Sequence, residues 1–185
     1  MDNDVSAGAT TTIVGRLALG ITLLAFGLGH TDVIDGVTAA DAVSIAQYVG
    51  GIALFVAGLM AFRDRDTANG TAFAALGALW FTWAVSDAGS ANAAGLFLTL
   101  FALVALSLTL AGGDQLGQGA YGLFFVALVL MAIAAFAGND GLTKVGGWFA
   151  VAAGAVAWYA ATAAMAHWPT VLPKRAAGRG VTATG

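Results

Sequence analysis

Tyr48–Trp83 reads "YVGGIALFVAGLMAFRDRDTANGTAFAALGALWFTW". Two apolar runs, rich in Gly and Ala, flank a knot of four alternating charges, Arg63, Asp64, Arg65 and Asp66. Neither run alternates polar and apolar residues as a half-buried strand would. Ala and Leu are good helix formers. A backbone facing lipid must satisfy its own hydrogen bonds, which a helix does within a single segment. The stretch therefore predicts two membrane helices joined by a tight charged turn.

The rest of the chain extends that pattern. It has 185 residues, 59% hydrophobic and 9% charged, against about 25% charged in an ordinary soluble domain. Its mean hydropathy is +0.87. Such a chain could not hydrate its own surface, so lipid is its natural solvent. Crossing a bilayer takes about 20 residues. Six apolar runs approach that length, at 13–29, 41–62, 70–85, 93–112, 119–137 and 145–166. They predict an all-α integral membrane protein with six transmembrane helices, a multi-pass protein of the cell membrane. The breaks between them hold Gly, Asn and Asp, the residues of tight turns and caps, and Asp41 and Thr67 are candidate N-caps. A polar N-terminal tail (1–12), a six-helix domain (13–168) and a basic, flexible C-terminal tail (169–185) are expected.

An even number of spans puts both termini on one side. Arg16, Arg63, Arg65, Lys174, Arg175 and Arg179 then share that side, and Lys144 falls opposite. Basic residues flanking spans favour the cytoplasm, so both termini are expected there and the knot reads as a turn that fixes orientation. Arg16 can snorkel to the interface or attract anions at a pore mouth. Trp80, Trp83, Trp148, Trp158 and Trp168 are candidate interface anchors.

No enzyme is expected. His30 and His167 fall near opposite faces, no carboxylate pair sits in mid-membrane, Asp87 ends the third span, and no nucleophile–base pairing can be assembled. Cysteine is absent and metal-ligand spacing is missing, so no metal or cofactor is expected, and no basic patch suggests nucleic acid. Thr22, Gln47, Tyr48 and Thr82 are neutral polar candidates for a pore lining or a polar mouth. Small residues recur on helical faces: Gly51 and Gly58; Gly70, Ala74, Ala78 and Thr82; Gly146, Ala150, Gly154 and Trp158. Such stripes let helices approach closely. Gly50, Gly51, Gly58, Gly77, Gly147 and Gly154 are the expected packing glycines.

The opening stretch also resembles the acetate uptake transporter family, the YaaH-type acetate/succinate permeases. Gly50, Gly51, Ala57, Gly58, Thr71, Ala72, Phe73, Gly77 and Trp80 match its pattern, as do Gly147, Trp148, Gly154, Ala157 and Tyr159 near the end and "VLP" at Val171–Pro173. The resemblance implies six helices around a central path, a ring-shaped homohexamer, and a small carboxylate substrate: acetate, and in some members succinate, moved with protons or through a channel. It also implies a hydrophobic constriction that falls here on Leu19, Leu76 and Ala127, with Leu128 the neighbour of the last. The chain departs from the family at its first helix, where "TTTIVGRL" replaces an Asn-Pro-x-Pro-Leu-Gly-Leu signature and only Gly15 persists. Leu54 and Ala61 replace a Gln and a Glu, and Leu19 and Leu76 stand where aromatic groups are expected. A same-fold carrier of another small solute such as ammonia, and a non-transporting scaffold or sensor, are the alternatives.

Overall fold

A computed structural model describes residues 7–86 and 89–168, and the regular structure among them is helical throughout. Asp87 and the basic tail 169–185 lie outside the described residues, as do the first six positions of the N-terminal tail. The long helices are α1 (Ala7–Gly29), α2 (Ala39–Arg63), α3 (Thr67–Val85), α4 (Ala91–Leu110), α5 (Gln115–Ala137) and α6 (Asp140–Ala166). Five of them, all but α3, are long and apolar enough to cross a membrane. The third is shorter, and Thr67, Asn69 and Thr71 make its opening turn polar. Residues 7–12, expected in a tail, belong to α1.

The charged knot is a helix stop set directly against a helix start. Arg65 takes the left-handed conformation (φ 62), where its N–H donates to Phe62 O while Asp66 N–H donates to Ala61 O. That pair of bonds is the Schellman arrangement, which satisfies the last carbonyls of α2. Asp66 then caps α3, its carboxylate accepting from Asn69 N at 3.1 Å and from Asn69 Nδ2 at 2.6 Å. The cap is therefore Asp66, one residue before the expected Thr67. Asp41 likewise is no N-cap: it sits inside the first turn of α2, and its carboxylate accepts from Thr38 N and Thr38 Oγ1. Asp66→Ala is expected to cost about 1 kcal/mol, the usual worth of a cap, read as a lower melting temperature of the detergent-solubilised protein.

The knot also ties α1 to the hairpin. Thr11 Oγ1 donates to Asp64 Oδ2 at 2.7 Å, and Asn69 Nδ2 donates to Thr12 Oγ1 at 3.2 Å. Arg16 pairs with Asp114, the N-cap of α5, so Arg16, Arg63 and Arg65 share one end of the bundle. Lys144 pairs with Asp32 at 3.0 Å, joining the loop after α1 to the start of α6 at the other end.

Around the bundle, α1 packs along α6, α6 along α5 and α5 along α4, while the α2–α3 hairpin closes against α1. Glycines set these distances. On the antiparallel seam of α1 and α6, a Cβ on Gly20 would lie 2.8 Å from Trp158 N, and one on Gly27 would lie 2.6 Å from Val151 N. From the other side, a Cβ on Gly147 would lie 3.0 Å from Gly27 O, and one on Gly154 would lie 2.7 Å from Leu24 N. In the hairpin, glycine alternates with aromatic rings: Gly51 receives Phe81, Gly77 the backbone of Phe55, Gly70 the ring of Phe62, and Gly58 the backbone of Ala74. The expected stripe through Ala78 and Thr82 thus runs instead through Gly77 and Phe81, because 3.6 residues per turn drift away from a spacing of four. In α6, Gly146 turns to α5, where Met131 and Ala127 O meet it, and Gly147 and Gly154 turn to α1.

Candidate functional site

Where α3 and α4 touch only sparsely, a cavity of about 400 Å³ opens at the Lys144 end. Phe26 and His30 of the α1 side, Trp83 and Ser86 of the α3 side, Phe97 of α4 and Thr143 of α6 line it, among others. Its polar side chains carry one imidazole, one indole N–H and two hydroxyls. Among the described residues, none that lines it carries a fixed charge.

An aromatic layer lies beneath. Trp80 stacks on Phe124 (centroids 5.6 Å apart, planes at 19°) and meets Phe26 and Phe101 edge to face at 5.1 and 5.3 Å. Trp83 touches both Phe26 and Trp80. Edge-to-face and offset-stacked rings suit the aromatic quadrupole, so this layer is well matched as well as apolar. Trp80 is 1% exposed, which removes it from the candidate interface anchors. Trp148, Trp158 and Trp168 remain exposed.

Leu19, Leu76, Ala127 and Leu128 all belong to one buried apolar cluster with this layer, each no more than 2% exposed. Leu54 and Ala61 are buried as well. The neutral polar candidates scatter. Thr22 is buried, but its Oγ1 donates to Ala18 O at 2.8 Å and its methyl fills the space over Gly50. Gln47 is half-buried. Tyr48 is 60% exposed on the outside of α2, and Thr82 is exposed in an outer groove between α2 and α3, with its hydroxyl on Ala78 O. Gln47, Tyr48 and Gly50 stand on a π-helical stretch, Ala46–Ala53, inside α2. Such wide turns are rare and recur at functional sites.

Sequence reasoning missed Phe26, Phe101 and Phe124 and left His30 without a partner. His30 stands just past the end of α1, its Nδ1 2.7 Å from Phe26 O and its ring 4.4 Å from that of Phe26. A carbonyl only accepts, so Nδ1 carries the proton and Nε2 is left as an acceptor. Burial holds the His30 pKa below its ordinary 6.5, against the opposing pull of the Phe26 carbonyl and the Asp32 charge. The unfolded chain then binds a proton that the native state refuses, between the depressed native pKa and about 6.5. Stability should therefore rise with pH across that window. The melting temperature is expected to fall as pH drops from about 7.5 to about 5.5, and His30→Asn, which keeps a donor for Phe26 O, should flatten that slope.

At the other end, Arg16 and its partner Asp114 line a second depression of about 370 Å³ with His167 and Trp168. The two depressions thus differ in lining: the described residues of the first carry no fixed charge, whereas an ion pair is part of the second.

The pattern of the GPR1/FUN34/yaaH family matches residues 5–172. The succinate-acetate/proton symporter SatP of Escherichia coli (strain K12) is 30% identical over 162 residues, covering 80% of this chain and 84% of that protein. Ammonia transport outward protein 2 of Saccharomyces cerevisiae is 29% identical over 143 residues, covering 67% of this chain and 50% of that one. Among solved structures, the bacterial acetate channel SatP superposes with a TM-score of 0.79 at 25% identity, over 88% of this chain and 97% of that chain.

Proposed function

The chain belongs to the GPR1/FUN34/yaaH family, and from that premise we propose that it carries acetate and similar small monocarboxylates across the cell membrane. The observation that carries the reading is an uncharged cavity set directly over an apolar, buried layer. A bare carboxylate entering that layer would meet a desolvation penalty of several kcal/mol. Neutral acetic acid avoids most of it. His30 Nε2, an acceptor at the cavity wall, suits the acid O–H of such a molecule. The constriction would be formed by Leu19, Leu76 and Ala127 or Leu128, and movement of these side chains would open it. A proton would then travel with each acetate.

On the same reading all six helices span the bilayer, with the Arg16–Arg63–Arg65 end in the cytoplasm, where basic flanks favour it. A homohexamer would cover part of the exposed apolar surface of α2 and α3. Uptake of labelled acetate into proteoliposomes, with and without an inside-alkaline gradient, tests the reading. Saturable uptake that the gradient accelerates is the expected result; a rate equal to that of protein-free vesicles would refute it. Ammonia is the second reading, favoured because an uncharged aromatic path also suits a small neutral base. An ammonia flux that acetate neither shares nor inhibits would select it.

A further inference from the structure

The aromatic layer contains one polar atom that packing does not explain. Trp80 Nε1 is buried and has no hydrogen-bond partner, the only such side-chain atom among the described residues. Buried polar groups are ordinarily paired, and a lone donor in apolar surroundings is a standing cost that needs an offset. The nearby Thr22 hydroxyl shows the ordinary solution, since it is satisfied within its own helix at Ala18 O. An indole N–H has no such local escape, because its helix carbonyls lie out of its reach.

The position of Trp80 matters as much as its missing partner. It sits one layer below the cavity: Phe26 and Trp83 line that cavity and both press edge to face on the Trp80 ring. Its ring stacks on Phe124, and α2 passes so close at Gly50 that a Cβ there would stand 3.1 Å from the Trp80 Cγ. On its own helix Trp80 stands about one turn nearer the cavity than Leu76. We propose that the Trp80 indole N–H donates a hydrogen bond to a carboxyl oxygen of the permeating acid, and so forms a polar station inside the apolar throat. A donor-only group suits this task. It accepts no proton, so it can hold either the carbonyl oxygen of the neutral acid or a carboxylate oxygen without competing for the acidic hydrogen. It also favours carboxylic acids over apolar solutes of the same size.

The inference rests on the monocarboxylate reading above, and its test separates the two. Trp80→Phe keeps an aromatic ring and deletes the donor. In proteoliposomes its half-saturation concentration for acetate is expected to rise roughly tenfold, the effect of losing one hydrogen bond, with a smaller change in maximal rate. The wild-type protein supplies a second measurement that does not depend on the variant folding. In ¹⁵N-tryptophan-labelled protein in nanodiscs, the Trp80 indole resonance is assigned by elimination from Trp→Phe variants at 83, 148, 158 and 168. Titrated acetate should move that resonance downfield. An unmoved Trp80 resonance, or an unchanged half-saturation in a folded Trp80→Phe protein, would overturn the inference while wild-type uptake persists. The N–H would then simply rest on the ring faces of Phe101 or Phe26. Loss of wild-type acetate uptake would instead overturn the reading beneath it.

Discussion

Gly154→Leu is expected to leave no monodisperse folded protein when membranes are solubilised and run on a sizing column. A Cβ at this position would stand 2.7 Å from Leu24 N and 2.9 Å from Gly20 O. Both are backbone atoms of α1, which no rotamer change can move aside. The whole helix would have to retreat. In lipid no hydrophobic drive pulls α1 and α6 back together, because the acyl chains are as apolar as the helix faces. What holds the seam is dispersion at close range, and a radial gap of under an ångström forfeits a quarter to a half of each contact. Opening this seam would also disturb the Lys144–Asp32 pair at its end and the Arg16–Asp114 pair that ties α1 to α5. Gly154→Ala adds only the Cβ and is expected to cost about 1–3 kcal/mol, the range for overpacking. Gly119→Ala is the control. Nothing lies within 4 Å of its Cβ position, so removing a glycine from the second turn of α5 should leave stability unchanged or raise it by up to about 1 kcal/mol.

The same contrast shows what the chain's letters disclose. The C-terminal ends of the helices agree with the apolar runs to within two residues, since Gly29, Val85, Ala137 and Ala166 close both. The N-terminal ends begin two to six residues earlier than the runs do. A helix opens on a polar cap and a first turn that tolerates water. Ser90, Asp114 and Asn139 each accept from the backbone N–H three residues on, at 3.2, 2.9 and 3.1 Å. Hydropathy sees only the part of a helix that lies in hydrocarbon. The π-helical stretch Ala46–Ala53 left no sign at all, because its composition is that of any small-residue helix.

The site was harder to read for a different reason. Polar residues in apolar spans attract notice, so Thr22, Gln47, Tyr48 and Thr82 stood out. Helix carbonyls satisfy hydroxyls readily, and Thr22, Thr82, Thr99 and Thr109 each donate to the residue four before. Such residues are therefore poor markers of a path. The layer formed by Phe26, Trp80, Phe101 and Phe124 gave no signal, because an aromatic residue in a span suits lipid and core equally. One clue was present. Trp80 stands about one turn deeper in α3 than Trp83 and follows Phe73 and Leu76 at the spacing of one buried helix face.

The sharpest functional test falls on Leu76, fully buried in the cluster that also holds Leu19, Ala127 and Leu128. Leu76→Trp is expected to lower acetate uptake at least about tenfold, since an indole needs more room than the packed cluster offers. Overpacking of this kind costs about 1–3 kcal/mol, so the variant should still reach the membrane and run as a folded species. Leu76→Ala works in the other direction. It removes a side chain from a site with no exposure, costs about 2–5 kcal/mol, and leaves a cavity in the proposed constriction. Propionate and butyrate, which are wider than acetate, should then enter faster relative to acetate than they do in the parent. The paired outcome matters more than either half. A mutation that merely loosened the fold would depress uptake of every acid together, whereas a constriction predicts that narrowing and widening move selectivity in opposite senses. Uptake of acetate, propionate and butyrate by both variants, normalised to folded protein in the same vesicles, decides it. Unaltered acetate rates with Leu76→Trp, together with an unaltered size limit with Leu76→Ala, would place the throat elsewhere.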